Sequence, residues 1–135
     1  MRSFESACTV HEQIGNTLVT HIRYPEAEPF DFRGLTIREL TPKGLDTASF
    51  AEIEVPPGAS HQTARSIRSD KVYYCTQGTV LFRVAGREIK LEAGDLLLIR
   101  KGDWFSYRND TDQTARLFLV HIPPFDLEHE EFQDE

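Results

Sequence analysis

The sequence predicts an all-β chain, closed into a barrel or a sandwich. Three observations carry that reading. Gly78, Gly86, Gly94 and Gly102 recur at an interval of eight residues. The stretches between them are rich in Val, Leu, Ile and Phe. Helix signals are few along the whole chain. Glycine accepts the positive φ that tight turns need, so the ladder marks hairpin corners. Short strands spaced by about 8–12 residues, with turn signals between them, form the pattern of an antiparallel β domain.

The elements follow in order. Residues 1–34 are an N-terminal arm. Within it 17–24 alternate, with Leu18, Thr20, Ile22 and Tyr24 on one side, which predicts a strand. The proline-bounded stretch 25–29 is a loop. Strands are expected at 35–40 and 50–55, separated by a turn around Pro42-Lys43-Gly44. Further strands are expected at 60–66, 71–76, 79–84, 88–91, 96–99, 104–107 and 114–122, so the barrel runs from 35 to 125. Residues 126–135 hold six of the 22 acids and none of the 15 Lys and Arg residues. They read as a solvated acidic C-terminal tail, and the rest of the chain is close to neutral.

Bulk properties narrow the function. A chain of 135 residues suits one domain. At this size about two-thirds of the unfolded surface is buried, so no disulfide is needed. Cys8 and Cys75 stand far apart, in no metal-type spacing. No apolar run has signal-peptide or bilayer-spanning length. A reduced, cytoplasmic protein with no membrane partner is expected. The net charge of −7 argues against nucleic acid, which needs a basic footprint.

The stretch from Glu54 to Asn109 resembles the cupin superfamily, and the resemblance extends over most of 34–125. Gly58 and Gly78 frame the first motif; Gly86, Gly94-Asp95, the apolar run 96–99 and Asn109 fit the second. Pro123-Pro124-Phe125 looks like the segment that follows the last cupin strand. The resemblance implies a cupin-type antiparallel barrel, a double-stranded β-helix or jelly roll. In such barrels an N-terminal strand often joins the partner's sheet, so 17–24 is a candidate dimer element and a homodimer is expected. Cupins usually hold a metal through three imidazoles and a carboxylate. Here Lys71 stands at the glutamate position and Phe105 at the second-motif histidine. The paired histidines fall on Ala64 and Ser66, or in the other register on Arg65 and Ile67. A lysine ammonium repels a divalent cation, so no metal and no cofactor are expected.

The family's geometry turns position 71 into the barrel. Alternation then adds Tyr73 and Cys75, and it places Tyr107 and Asp103 on the side of Phe105. The register of 60–66 stays open between His61, Thr63 and Arg65 and the set Gln62, Ala64 and Ser66. An inward Lys71 needs an anion: Asp70, Asp103, another acid or a ligand. Cupins host many unrelated activities, so fold does not give function. The expected function is a metal-free module binding a small, acidic organic molecule through Lys71, Arg65 and His61, with Tyr73, Phe105 and Tyr107 packing its apolar part. An isomerase, epimerase or lyase using Lys71, Tyr73 or His61 is the first alternative. A displaced metal site at His61, helped by His121, is the second. A filled pocket with a purely structural role is the third.

Overall fold

The structure, a computed structural model, describes residues 10–14 and 17–134. Cys8 lies outside them. Among the described residues there is no α-helix, and so no helix able to cross a membrane. Strands β1 (Val10–Ile14) and β2 (Thr17–His21) pair with each other as a hairpin. The expected strand at 17–24 therefore ends at His21, and Tyr24 opens a short 3-10 turn with proline in its first positions.

The other strands form two antiparallel sheets packed face to face. Along the chain they are β3 (Phe30–Phe32), β4 (Leu35–Glu39), β5 (Ser49–Val55), β6 (Ser60–Ser66), β7 (Asp70–Gln77) and β8 (Thr79–Val84). There follow β9 (Arg87–Glu92), β10 (Leu96–Ile99), β11 (Phe105–Arg108), β12 (Ala115–Ile122) and β13 (Glu130–Phe132). One sheet has the order β10-β7-β12-β5-β4-β3 and the other β13-β6-β11-β8-β9. Double sheets of this kind cover each other's apolar faces, as in jelly rolls. The barrel strands expected between 35 and 122 are all present, displaced by a residue or two at their ends.

Alternation explains the core. In the neighbouring strands β5 and β12 every second residue is buried, so Ala51, Ile53 and Val55 lie beside Leu119, Leu117 and Ala115 on the inner face of one sheet. Phe82, Tyr73 and Tyr107 interlock with ring centroids 4.8–5.7 Å apart. Asn109 is fully buried and ties the mid-barrel loops. Its amide donates to the carbonyls of Val55 and Gln113, and its Oδ1 accepts from Thr111.

One expectation is corrected. Residues 126–132 are not a solvated tail. A 3-10 turn at Leu127–His129, capped by the Asp126 side chain, leads into β13, which pairs with β6. The acids meet bases that lie far off in sequence: Asp126 lies 3.8 Å from Arg68, Glu131 is 2.7 Å from Arg65, and Glu130 is 2.7 Å from Lys71. Charge counting along the chain misses this because the partners come together only when the edge of β6 is paired.

The four ladder glycines sit at corners, with φ between +75° and +96°. Gly78 is the constrained one, since a Cβ there would lie 2.9 Å from the Ala115 Cα. At Gly86 a Cβ meets nothing within 4 Å. Gly86→Ala is therefore expected to cost only the left-handed strain, about 1–2 kcal/mol. Gly78→Ala is expected to cost more, because backbone must move as well. Urea unfolding of the two variants beside the parent protein measures the difference, and equal losses would contradict the close approach.

Candidate functional site

Rows of inward residues run across the six-stranded sheet, because directly opposed residues on antiparallel strands share a face. One row is Ile99, Lys71, His121 and Ser49; the next is Leu97, Tyr73, Leu119, Ala51 and Glu39. The opposite sheet closes the chamber. Glu130 pairs with Ser66 and Phe132 with Ala64, so both turn inward, while Glu131 and Arg65 turn outward. The result is a cavity of about 50 Å³, measured as the space open to the centre of a water molecule. Its polar walls are Lys71, His121, Glu130, Glu39, His61, Tyr73, Tyr107 and Ser49. The remaining walls are aliphatic or phenyl groups. A second, more open cavity of about 200 Å³ lies against it, sharing Phe32 and His61 and adding Arg33, Ser60 and Gln62.

Lys71 is the centre of the chamber. Its Nζ donates to Glu130 Oε1 at 2.7 Å, lies 2.8 Å from His121 Nε2, and sits 5.5 Å from the centroid of the Phe105 ring. Burial pushes its pKa down, and the facing Glu130 carboxylate opposes that shift. His121 is driven well below the usual imidazole range by burial, then by Lys71 and by His61. It is therefore neutral, with Nε2 as acceptor and the ring hydrogen on Nδ1. Burial also raises the hydroxyls of Tyr73 and Tyr107, so both remain protonated donors. Glu39 is raised by burial, against the opposing hydrogen bonds from the backbone and hydroxyl of Thr41.

Four of the six expected ligand residues line the chamber: Lys71, Tyr73, His61 and Tyr107. Phe105 is buried behind the wall, stacked 5.2 Å from the His61 ring. Arg65 lies outside, bonded to Glu131 and placed over Trp104. Asp103 is exposed rather than inward. The open register of β6 resolves into parts of both alternatives. Ala64 and Ser66 point inward, and so does His61. Phe105 pairs with Ala64 but Tyr107 pairs with His61, so β6 carries one extra residue there. Such a bulge reverses the alternation.

The sequence reading missed Glu39 and Glu130 and left His121 at the margin. Two of them carried a signal. Glu39 continues the inward phase of Leu35 and Ile37, and His121 continues that of Leu117 and Leu119. A polar residue on an apolar phase marks a site. Glu130 carried none, because only strand pairing brings it to Lys71.

The residues do not fit the metal that the cupin motifs hold elsewhere. Lys71 Nζ is held by Glu130 and His121, and Ser66 Oγ accepts from the Arg68 and Ser69 amides. His61 donates from Nδ1 to the Gln62 carbonyl and His121 faces the Lys71 ammonium. Among the described residues no three His, Cys, Asp or Glu side chains converge as ligands.

Comparison with known proteins agrees with the fold. A family model described as Cupin domain matches residues 51–121. The tetracenomycin polyketide synthase protein TcmJ of Streptomyces glaucescens is 31% identical over 92 residues, 67% of this chain and 62% of that protein. The chain thus spans somewhat less than two-thirds of that relative. Among solved structures, Pac13 of Streptomyces, a nucleoside dehydratase, superposes with a TM-score of 0.73 at 20% identity, over 82% of this chain and 88% of Pac13. The polyketide cyclase RemF of Streptomyces resistomycificus gives 0.68 at 21% identity, over 76% and 78%.

The buried pair sets two expectations. Glu130→Gln strands an ammonium in the interior and is expected to cost about 3–5 kcal/mol, whereas the double change Lys71→Met with Glu130→Leu recovers most of that loss. Chemical denaturation of the three variants tests the coupling, and an undiminished Glu130→Gln protein would contradict it. The second concerns pH. Unfolded His121 titrates near 6.5 and the folded group well below it. Below that pH the unfolded state binds the extra proton, so stability falls as pH falls, by up to about 1.4 kcal/mol per unit. His121→Gln, which keeps an acceptor but does not titrate, is expected to flatten the profile between pH 7 and pH 5. A slope unchanged in that variant would assign the effect elsewhere.

Proposed function

The chain belongs to the cupin family, and on that premise we propose that it is a metal-independent cupin that takes one end of a small carbonyl-bearing molecule into the barrel and moves a proton there. The observation that carries this is the Lys71–Glu130–His121 cluster, buried in a chamber otherwise walled by aliphatic and aromatic groups. An amine whose pKa burial lowers, hydrogen-bonded to a carboxylate and beside a neutral imidazole, is suited to giving up and recovering a proton. Neutral Tyr107 and Tyr73 are donors suited to the oxygen of a carbonyl as it gains charge. As the free amine, Lys71 takes a proton from carbon beside that carbonyl and becomes the ammonium, which Glu130 pairs with. His121 accepts from the nitrogen throughout.

Size shapes the reading. The inner chamber of about 50 Å³ holds only a few heavy atoms. A larger ligand inserts one end past His61 and rests its body in the outer cavity beside Phe32 and Arg33. The ligand acidity expected from an unpaired Lys71 loses that reason, since Glu130 supplies the counter-ion. An acidic group on the ligand body belongs at Arg33 instead. The relatives support a small-molecule enzyme rather than a filled barrel. One is named as a polyketide synthase protein, one as a polyketide cyclase and one as a nucleoside dehydratase. Cyclisation and dehydration at carbonyl compounds both turn on proton transfer. The homodimer remains part of the proposal. It is supported by Tyr74, Leu96, Leu98 and Ile122, which stand exposed on the outer face of the six-stranded sheet, and light scattering tests it.

Proton transfer is measurable without the natural substrate. In deuterium oxide, the protein is expected to exchange the C–H hydrogens beside the carbonyl of small ketones, followed by proton NMR. Chelator treatment is expected to leave the rate unchanged. Lys71→Met is expected to lower it by about 10²–10⁴-fold, the usual scale for general acid–base catalysis. Exchange that needs added metal, or that survives in Lys71→Met, would overturn the proposal.

A further inference from the structure

Among the described residues, four buried side-chain nitrogen or oxygen atoms have no hydrogen-bond partner: Arg38 Nε, Arg68 Nε, Tyr107 Oη and Glu130 Oε2. The two arginines are otherwise engaged, since their terminal nitrogens donate to the carbonyls of Ala27 and Pro124. Neither arginine lines the chamber. Tyr107 and Glu130 both do. Buried polar groups in folded proteins are nearly always satisfied, so a pair left open in one cavity calls for a partner that comes and goes.

The two atoms ask for different things. Glu130 Oε1 is taken by Lys71, which leaves Oε2 as an acceptor. Tyr107 Oη offers a hydrogen, and burial keeps that hydrogen in place by raising the pKa. We infer that Tyr107 and Glu130 select the ligand: the end that enters the chamber carries a carbonyl, which accepts from Tyr107, and on the same end an O–H or N–H donor, which bonds to Glu130 Oε2. This rests on the proton-transfer reading above and narrows its substrate class to hydroxy-carbonyl or lactam-type ends. The cavity has room for about three to five waters at 10–15 Å³ each. A ligand that displaces them without supplying both a donor and an acceptor leaves buried groups unpaired, which is how polar sites reject close analogues. Glu130 also lies beyond residue 121, where the match to the family model ends.

The test compares small probes that differ in a single group. Hydroxyacetone, its isostere butanone and methoxyacetone form the O–H arm. 2-Pyrrolidinone and N-methylpyrrolidinone form the N–H arm. Binding is followed by NMR titration of the chamber resonances. In the parent protein at least one donor-bearing probe is expected to bind about tenfold tighter than its donor-less analogue, and the arm in which this occurs identifies the donor. Glu130→Gln is expected to abolish the preference, and Tyr107→Phe to weaken every carbonyl probe several-fold. Because the parent-protein comparison needs no variant, a poorly folded Glu130→Gln protein does not blunt the test. Equal affinity of donor-bearing and donor-less probes in both arms would overturn this inference while the exchange of ketone C–H hydrogens still stood. Absence of that exchange, with the donor preference intact, would instead remove the catalytic reading and leave the selection.

Discussion

A lysine ammonium taken into the barrel is the constraint on which the rest of the structure depends. Lys71 is 4% exposed, and an isolated charge in such surroundings is too costly to keep. The compensation comes from the far end of the chain. For Glu130 to face Lys71, β13 must pair with β6 in the register that sets Glu130 opposite Ser66. That placement is fixed by ordinary contacts outside the chamber. Arg65 holds Glu131, the Ile67 amide donates to the His129 carbonyl, and Arg68 and Ser69 donate to the carbonyls of Pro124 and Pro123. The segment that closes the barrel is thus the one that neutralises its interior.

Burial settles the protonation of the neighbours of Lys71, and for His121 the lysine itself is the second cause. His121 cannot charge beside it in a dry site, so it serves as an acceptor. Tyr73 and Tyr107 keep their hydrogens. Around Lys71 the chamber collects the Glu130 carboxyl group, a neutral imidazole and two protonated phenols. The Lys71 amine meets its counter-ion within the chain, at Glu130.

Packing separates this chamber from the core. Beyond Tyr73 the interior is filled by Phe82, Leu117, Val55 and Val80, all nearly inaccessible. The polar groups gather at the end where β13 and Phe125 close over the sheets. The bulge in β6 belongs to that end too. It turns His61 inward between the Phe105 and Tyr107 rings, with centroids 5.2 and 5.0 Å away, and makes it the common wall of the inner and outer cavities.

The sequence by itself determined the barrel. Apolar alternation and the glycine corners are local, with period two along a strand and positive φ at a turn, so they can be read without knowing what packs where. The resemblance to the family, extended by alternation along the strands, also turned Lys71, Tyr73 and Tyr107 inward, and all three are buried. Tertiary structure alone decided the rest. Glu130 reaches Lys71 across 59 positions of chain by edge pairing, and no local pattern encodes such a partner. The inward turn of His61 depends on a bulge that alternation cannot foresee. Arg65 lost its expected place because its outward phase met Glu131. The six acids after residue 125 looked like surplus charge for the same reason: a linear chain shows how many charges there are, and only the folded edge shows which of them are paired.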